Sequence, residues 1–186
     1  MIMKILTFIL LIFFNSFAFA DPLKNAIESE IRSDKNVARD VYRHPYETLT
    51  FFGIRPDMTV IELSPGGGWY TEILAHYLKD NGELIAVHFD PSMGDFAKRV
   101  RDNFEKKLAS SSVYDQVKLA SLNSKYSEVE SVDVVVTFRN LHNWIGPNWD
   151  FIIKNSYASL KKGGLLGVVE HRAKEGTSIE NMKKTG

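Results

Sequence analysis

Three short stretches concentrate side chains able to do chemistry. The first, Glu62-Leu63-Ser64-Pro65-Gly66-Gly67-Gly68-Trp69-Tyr70-Thr71, sets a carboxylate before three consecutive glycines and two aromatic rings. Glycines accept the dihedrals of a tight turn, and their missing side chains let a ligand approach the backbone. A helix starting behind them favours electronegative ligand groups at its N-terminus. The second stretch, Arg139-Asn140-Leu141-His142-Asn143-Trp144, follows an apolar run. His142 suits a general base, because an unperturbed imidazole titrates near neutrality. Asn140 or Asn143 can orient an acceptor or a ligand amine, and Arg139, His142 and Asn143 form the candidate catalytic set. The π faces of Trp144, Trp69 or Tyr70 suit a cationic ligand group. The plainer alternative is that Asn143 caps a turn, Trp144 covers core and His142 makes a structural bond. The third stretch, Arg39 to Glu47, is dense in ionisable groups, and a solvated helix start with surface ion pairs accounts for it equally well.

Other chemistry is excluded or unsupported. The chain has no cysteine, which removes thiolate catalysis, disulfides and Cys-ligated zinc or iron–sulfur sites. His44, His76, His88, His142 and His171 show no close ligand spacing such as H-E-x-x-H, so no metal is expected. The 23 basic and 23 acidic residues balance, so no broad field draws the protein to nucleic acid or an anionic membrane, and partners must be argued from local sites, with a small-molecule substrate expected ahead of an exported polymer.

The elements that position these stretches alternate strand and helix, the signature of an α/β fold. Residues 58–63 read as a first strand. A helix over 70–79 sets Ile73, Leu74, Tyr77 and Leu78 on one face, and Asn81-Gly82 stops it. Leu84 to Phe89 forms the second strand. Pro91-Ser92 opens a helix carrying Phe96, Val100, Phe104 and Leu108 at four-residue intervals, and Val117 to Ala120 is a weak third strand. Val132 to Phe138 is continuous and apolar, as a central parallel strand should be. A helix over 149–160 carries Phe151, Ile152, Tyr157 and Leu160, and Lys161-Lys162-Gly163-Gly164 suits its C-terminus. Leu165 to Val169 is the fifth strand. In the lead-in, Pro45 fits the first turn of a helix running to Phe52, with Leu49 and Phe52 facing the core.

The glycine stretch thus lies between a strand and a helix, with Asp90 closing the next strand where it can meet ribose hydroxyls. The dinucleotide fingerprint G-x-G-x-x-G fails at Thr71, and no lysine follows the loop as a P-loop requires. The loop E-L-S-P-G-G-G-W-Y-T instead resembles motif I of class I S-adenosylmethionine-dependent methyltransferases. The resemblance continues through A-V-H-F-D-P, V-D-V-V-V-T-F-R-N-L-H-N-W and L-K-K-G-G-L-L-G-V-V-E-H, spanning about residues 45–171. The segment at 38–53, the P-G-G-G-W-Y-T-E loop and R-N-L-H-N-W are similar to a group of predicted exported methyltransferase-like proteins.

That resemblance implies a Rossmann-like, three-layer αβα fold with a mostly parallel sheet in the order 3-2-1-4-5. It also implies two further strands after the fifth, so the sequence is expected to be truncated. It implies S-adenosylmethionine as cofactor, held by Glu62, Ser64, Pro65, Gly66, Gly67, Gly68, Tyr70, Asp90, Asn140 and Trp144, with Tyr42, Arg43 and His44 in a lid. Two positions depart from the pattern: Ser64 replaces the usual first glycine, and His88 occupies the usual place of the ribose carboxylate. Side chains alternate along a strand, so Asp90 shares a face with His88 and can serve instead.

Residues 1–20 read as a signal peptide, with Lys4 as the basic start, an apolar run from Ile5 to Phe14 and Ala18-Phe19-Ala20 before cleavage at Asp21. The run is too short to span a bilayer, so the mature protein is expected in the periplasm or secreted, without stable membrane insertion. The expected organisation is a signal peptide, a helical lead-in over 21–55 and an α/β domain over 56–186. A methyltransferase is the leading expectation. The alternative is a non-catalytic exported protein binding a nucleoside or other small molecule on the same scaffold.

Overall fold

The computed structural model describes residues 21–146 and 148–185, so the expected signal peptide lies outside the described residues. Five parallel strands, β1 (Thr59–Leu63), β2 (Glu83–His88), β3 (Lys118–Ser121), β4 (Val132–Phe138) and β5 (Leu160–Val169), form one sheet in the order β3-β2-β1-β4-β5. The helices are α1 (Pro22–Ile27), α2 (Asp34–Val37), α3 (Asp40–Arg43), α4 (Pro45–Phe51), α5 (Trp69–Leu78), α6 (Asp95–Leu108), α7 (Leu141–Trp144), α8 (Trp149–Ser159) and α9 (Ile179–Thr185). The order reverses between β1 and β4, and at such a switch point the carboxyl ends of the strands leave a crevice for ligands.

Strand alternation sorts the apolar residues onto two faces. Val60, Val134 and Val136 pack with Leu23, Leu49, Ile73 and Leu74, joining the lead-in and α5 to one face. Ile61, Leu63, Val87 and Val135 pack with Tyr126, Trp144 and Ile152 on the other. Both faces of the central strands are therefore covered, which explains why β4 reads as an unbroken apolar run. Leu49 and Phe52 are buried, as the lead-in pattern predicts.

The structure departs from the sequence expectations at three places. Lys161-Lys162-Gly163-Gly164 does not end a helix but belongs to β5, entering beside a register shift opposite Val132 and Val134. The Lys161 Nζ bonds Asp133 Oδ1 at 2.7 Å there, so the charge belongs to strand pairing rather than to a helix end. A short 3₁₀ turn at Pro91–Met93 precedes α6, whose buried side is Ala97, Arg101 and Phe104; Phe96 is 60% exposed, because a strict four-residue spacing drifts by about 40° per step against the helical period. In α8, Phe151 and Tyr157 face outward, and Leu160 has joined β5. β5 forms one sheet edge and leaves Leu165, Leu166 and Val168 partly exposed.

The lead-in is fastened by a polar hub around Glu72, in the first turn of α5. Its carboxylate is buried, accepts from Lys107 Nζ of α6 and from Asn36 Nδ2 at 2.8 Å, and lies 3.8 Å from Arg32 Nε. Arg32 forks onto Asp40 with two 2.7 Å bonds and donates to Ile27 O. Trp69 donates its Nε1–H to Asn36 O at 2.8 Å, and Arg32 and Arg43 lie over its ring at 5.2 and 4.9 Å. A buried charge left without its partner is strongly destabilising, whereas an intact pair contributes little net stability. Glu72→Ala, which orphans Lys107 and removes the Arg32 and Asn36 contacts, should therefore cost about 3 kcal/mol in urea unfolding; a loss below about 0.5 kcal/mol, the range of ordinary surface substitutions, would show that the hub does not fasten the lead-in.

Candidate functional site

The glycine turn connects β1 to α5 and is held from four sides. Ser64 N–H donates to Val87 O of β2 at 2.8 Å, and Thr137 Oγ1 of β4 donates to Leu63 O at 3.1 Å. Asn140 Nδ2 reaches Ser64 O and Thr137 Oγ1, both at 3.1 Å. His88 accepts the Phe89 N–H at its Nδ1, 2.8 Å away, which leaves Nε2–H to donate to Gly66 O at 3.2 Å. Burial holds the His88 pKa below its ordinary value, in keeping with a neutral ring that props the turn.

The turn's backbone explains its composition. Ser64, Gly66 and Gly68 have φ of 53°, 59° and 77°. Gly68 has a second constraint: an added Cβ would meet Lys107 Cδ at 2.9 Å and Phe104 at 3.1 Å, where α6 packs against the turn. Gly66 and Gly67 border open space, with nothing within 4 Å of an added Cβ. Two bare peptide units therefore face the crevice. Ser64 stands where glycine is usual, carries the left-handed strain of a non-glycine residue, and encloses its hydroxyl without a hydrogen-bond partner.

Above the turn lies a cleft of about 520 Å³, bordered by Glu62, Ser64 to Gly67, Trp69, Tyr70, Phe138, Arg139 and Asn140 from the sheet side. Asn36, Arg39 and Arg43 border it from the lead-in. Tyr70 stacks on Phe138 with centroids 3.5 Å apart and donates to Arg43 O at 3.4 Å. Glu62 lies at the floor, fully buried, accepting 2.6 Å from Thr71 Oγ1. Burial raises its pKa to about 7, and the Thr71 bond only partly offsets this. A ligand cation over the turn would favour the ionised form.

A smaller cavity of about 260 Å³ opens beyond β2 and β3, between Met93, Leu122, Asn123, Asn148, Phe151 and Ile152. Asp90 lies between this cavity and the turn in sequence, half-buried, and its Oδ1 accepts from Ser92 Oγ and N at 2.5 and 2.8 Å. These bonds, the hydroxyl's first, keep its pKa low. An ionised carboxylate of this kind accepts hydroxyl donors.

The catalytic candidates spread out from β4. Arg139 borders the cleft, and its backbone, at φ 61°, donates to Val169 O at 2.7 Å. His142 sits half-buried in α7 and pairs Nδ1 with Glu170 Oε1 at 3.2 Å. Glu170 also accepts from Leu141 N at 2.7 Å and His171 N at 2.8 Å. Burial pushes the Glu170 carboxyl up, but the His171 amide, the His142 ring and the Leu141 amide together hold it below its ordinary value. An ionised Glu170 orients the imidazole and leaves its Nε2 free. Asn143 is exposed on α7, and neither it nor His142 borders the cleft, so of the three catalytic candidates only Arg139 does. Trp144 points into the core with Ile61, Leu63 and Tyr126, so a ring expected against a cation fills apolar space instead.

Glu170 and His88 are the residues whose roles sequence reading misses. Glu170 closes β5, and the strand order that neighbours β5 with β4 was the available signal. His88 looked like a lost carboxylate, and only its two ring bonds reveal the prop. Among the described residues no group of His, Asp and Glu is arranged to hold a metal ion, and no helix is long and apolar enough to cross a membrane.

Residues 61–168 match the family described as "Methyltransferase domain". The fold is similar to a crystal structure of an S-adenosylmethionine-dependent methyltransferase from Aquifex aeolicus, with a TM-score of 0.59 and 17% identity, covering 86% of this chain and 79% of that one. It is also similar to a protein from Pyrococcus horikoshii, at TM-score 0.52 and 17% identity over 74% of this chain and 59% of that one. The ribosomal RNA small subunit methyltransferase H of Fusobacterium nucleatum is 36% identical over 62 residues, 33% of this chain. The chain spans about 20% of that relative's length. At such identities the two solved structures establish the fold.

Two outcomes follow from the turn. Ser64→Gly removes the left-handed strain and the enclosed hydroxyl, and should stabilise the fold by about 1 kcal/mol in urea unfolding; destabilisation would mean that the hydroxyl has a partner. Glu62 binds its proton more tightly folded than unfolded, so between its ordinary 4.5 and about 7 stability falls as pH rises. The total is on the order of 3 kcal/mol. Glu62→Gln should flatten that slope, and an unchanged pH profile would assign it to another group.

Proposed function

Because the chain belongs to the methyltransferase-domain family, we propose that it is an S-adenosylmethionine-dependent methyltransferase acting on a small-molecule acceptor in the periplasm. The observation that carries this reading is the pinned glycine turn, whose two bare peptides border open space at the switch point of the sheet. Space that a Cβ would fill is what a cofactor needs in order to reach the backbone.

The residues present fit this cofactor. Ser64, Pro65, Gly66, Gly67 and Tyr70 line the region for its methionine portion, with Glu62 below as a carboxylate able to balance a cation. Asp90 offers an ionised acceptor to the ribose hydroxyls, and the slot between Met93, Leu122 and Phe151, with the amide of Asn123, suits a flat nucleobase. Asn140 acts indirectly, by tying the β4 end to the turn. The bound cofactor supplies a methyl group on a sulfonium, and the protein must align a nucleophile with it and remove a proton where the acceptor has one. His142 does not line the cleft but stands on α7, two residues beyond the cleft-lining Asn140, and with Nδ1 held by Glu170 its Nε2 is the candidate to take that proton. The apolar run before Asp21 supports export, and the periplasmic assignment rests on it.

A thermal-shift measurement on mature protein tests the cofactor. S-adenosylmethionine or S-adenosylhomocysteine at a hundredfold excess over Kd should add about 2.7 kcal/mol of stability, and NAD should add none. No stabilisation by the first two would remove the cofactor assignment. Once an acceptor is in hand, His142→Ala should lower kcat by about 10²-fold or more with S-adenosylhomocysteine binding retained, as loss of a general base requires. Unchanged turnover would take His142 out of the reaction.

A further inference from the structure

The chain as a whole is neutral, yet the mouth of the cleft is not. Lys35, Arg39, Arg43, Lys107 and Arg139 border it, against the single buried carboxyl of Glu62. Lys107 is paired with Glu72. Among the described residues none of Arg39, Arg43 and Arg139 has a carboxylate within 4.0 Å, in contrast to Arg32 nearby, whose guanidinium forks onto Asp40 and lies 3.8 Å from Glu72. Arg39 and Arg139 stand close enough to Arg43 to lower its pKa, after the larger effect of its burial. Arg43 is half-buried with its guanidinium 4.9 Å over the Trp69 ring, so it is held in place rather than waving in solvent.

Arg139 adds a second observation. It is a non-glycine residue at φ 61° with its backbone N–H tied to β5, and residues kept in that region cost about 1–3 kcal/mol and concentrate at functional sites. The strain delivers the first side chain after β4 to the rim opposite Arg39 and Arg43.

The proposed cofactor does not balance this cluster. It carries a sulfonium and an ammonium against one carboxylate, and one carboxylate satisfies one guanidinium fork. Bound alone it would add positive charge to a basic cleft. Resting on the methyltransferase reading, we infer that the methyl acceptor carries an anionic group, a phosphate or a carboxylate, gripped at the cleft mouth by Arg39, Arg43 and Arg139. The acceptor then completes the charge balance of the ternary complex. This grip also holds its nucleophile over the turn, so recognition and alignment come from the same contacts.

The test uses mature protein saturated with S-adenosylhomocysteine and titrated with pyrophosphate or with tricarballylate, at ionic strength matched with sodium chloride. S-adenosylhomocysteine alone reads the cofactor assignment, and its failure to bind would break the premise separately. With that complex formed, at least one of the two anions should bind, more weakly as salt rises. Which one binds identifies the group. Arg39→Gln and Arg139→Gln should each weaken it about tenfold, the effect of losing one charge-assisted contact. Arg39→Lys should restore it only in part, since an ammonium keeps the charge but not the fork. Lys79→Gln, distant on the exposed end of α5, should leave it unchanged. Binding of neither anion, or equal weakening by Lys79→Gln, would overturn the inference.

Discussion

Everything at the cleft depends on a buried carboxylate one turn into α5. A carboxylate in the core needs partners, and those of Glu72 come from two separate parts of the chain: Arg32 and Asn36 in the lead-in, and Lys107 in α6. Satisfying that one charge brings the lead-in down over the glycine turn and draws α6 against Gly68. Arg39 borders the cleft beside the locked Arg32–Asp40 pair, and Arg43 borders it from over the Trp69 ring. The hub contributes position more than stability. A buried ion network is costly to break and little more than neutral to keep, so its consequence is geometry.

The turn itself is an atypical solution to a common requirement. A strand must reverse into a helix while leaving its backbone bare, and left-handed dihedrals at three of five residues achieve this. One of the three falls on Ser64, which is strained there. The structure compensates with bonds around it: Val87 O on one side, Asn140 on the other, and His88 beneath Gly66. His88 and Ser64 are therefore linked departures. Where a carboxylate would reach outward to a ligand, a neutral imidazole reaches inward and steadies a turn that lacks its first glycine. The outward role passes to Asp90, past the end of β2.

The architecture was legible because the apolar residues are arranged simply. Val132–Phe138 has the same bounds in sequence and structure, since a strand covered on both faces has no ambiguous ends. β5 was less legible. Its start at Leu160 depends on the Lys161–Asp133 pair and a register shift, both contacts between distant residues. Phe96 is outward because a strict four-residue spacing drifts by about 40° per step against the 3.6-residue period, which carries it away from the face that buries Phe104. At the site, the glycine turn was readable from local composition, whereas the partners that make it work were not. Trp144 could be drawn equally well to a cation or to the core, and only the packing of Ile61 and Tyr126 decides for the core. The Glu170–His142 pair joins residues 28 positions apart, and Arg139 meets Arg39 and Arg43 from a distant part of the chain, so neither pairing has a local signature.

The central spatial claim is that the cofactor lies in the cleft between the glycine turn and the lead-in fastened by Glu72, with the acceptor entering the same cleft at its mouth. Hydrogen–deuterium exchange of the mature protein, with and without saturating S-adenosylhomocysteine, tests it directly. Amides in residues 62–70 and 33–43 should slow together on binding, with the next protection near residues 90–93 and 122–123, where ribose and base would lie. Protection confined to other elements, or tight binding that leaves 33–43 exchanging as in the free protein, would contradict it.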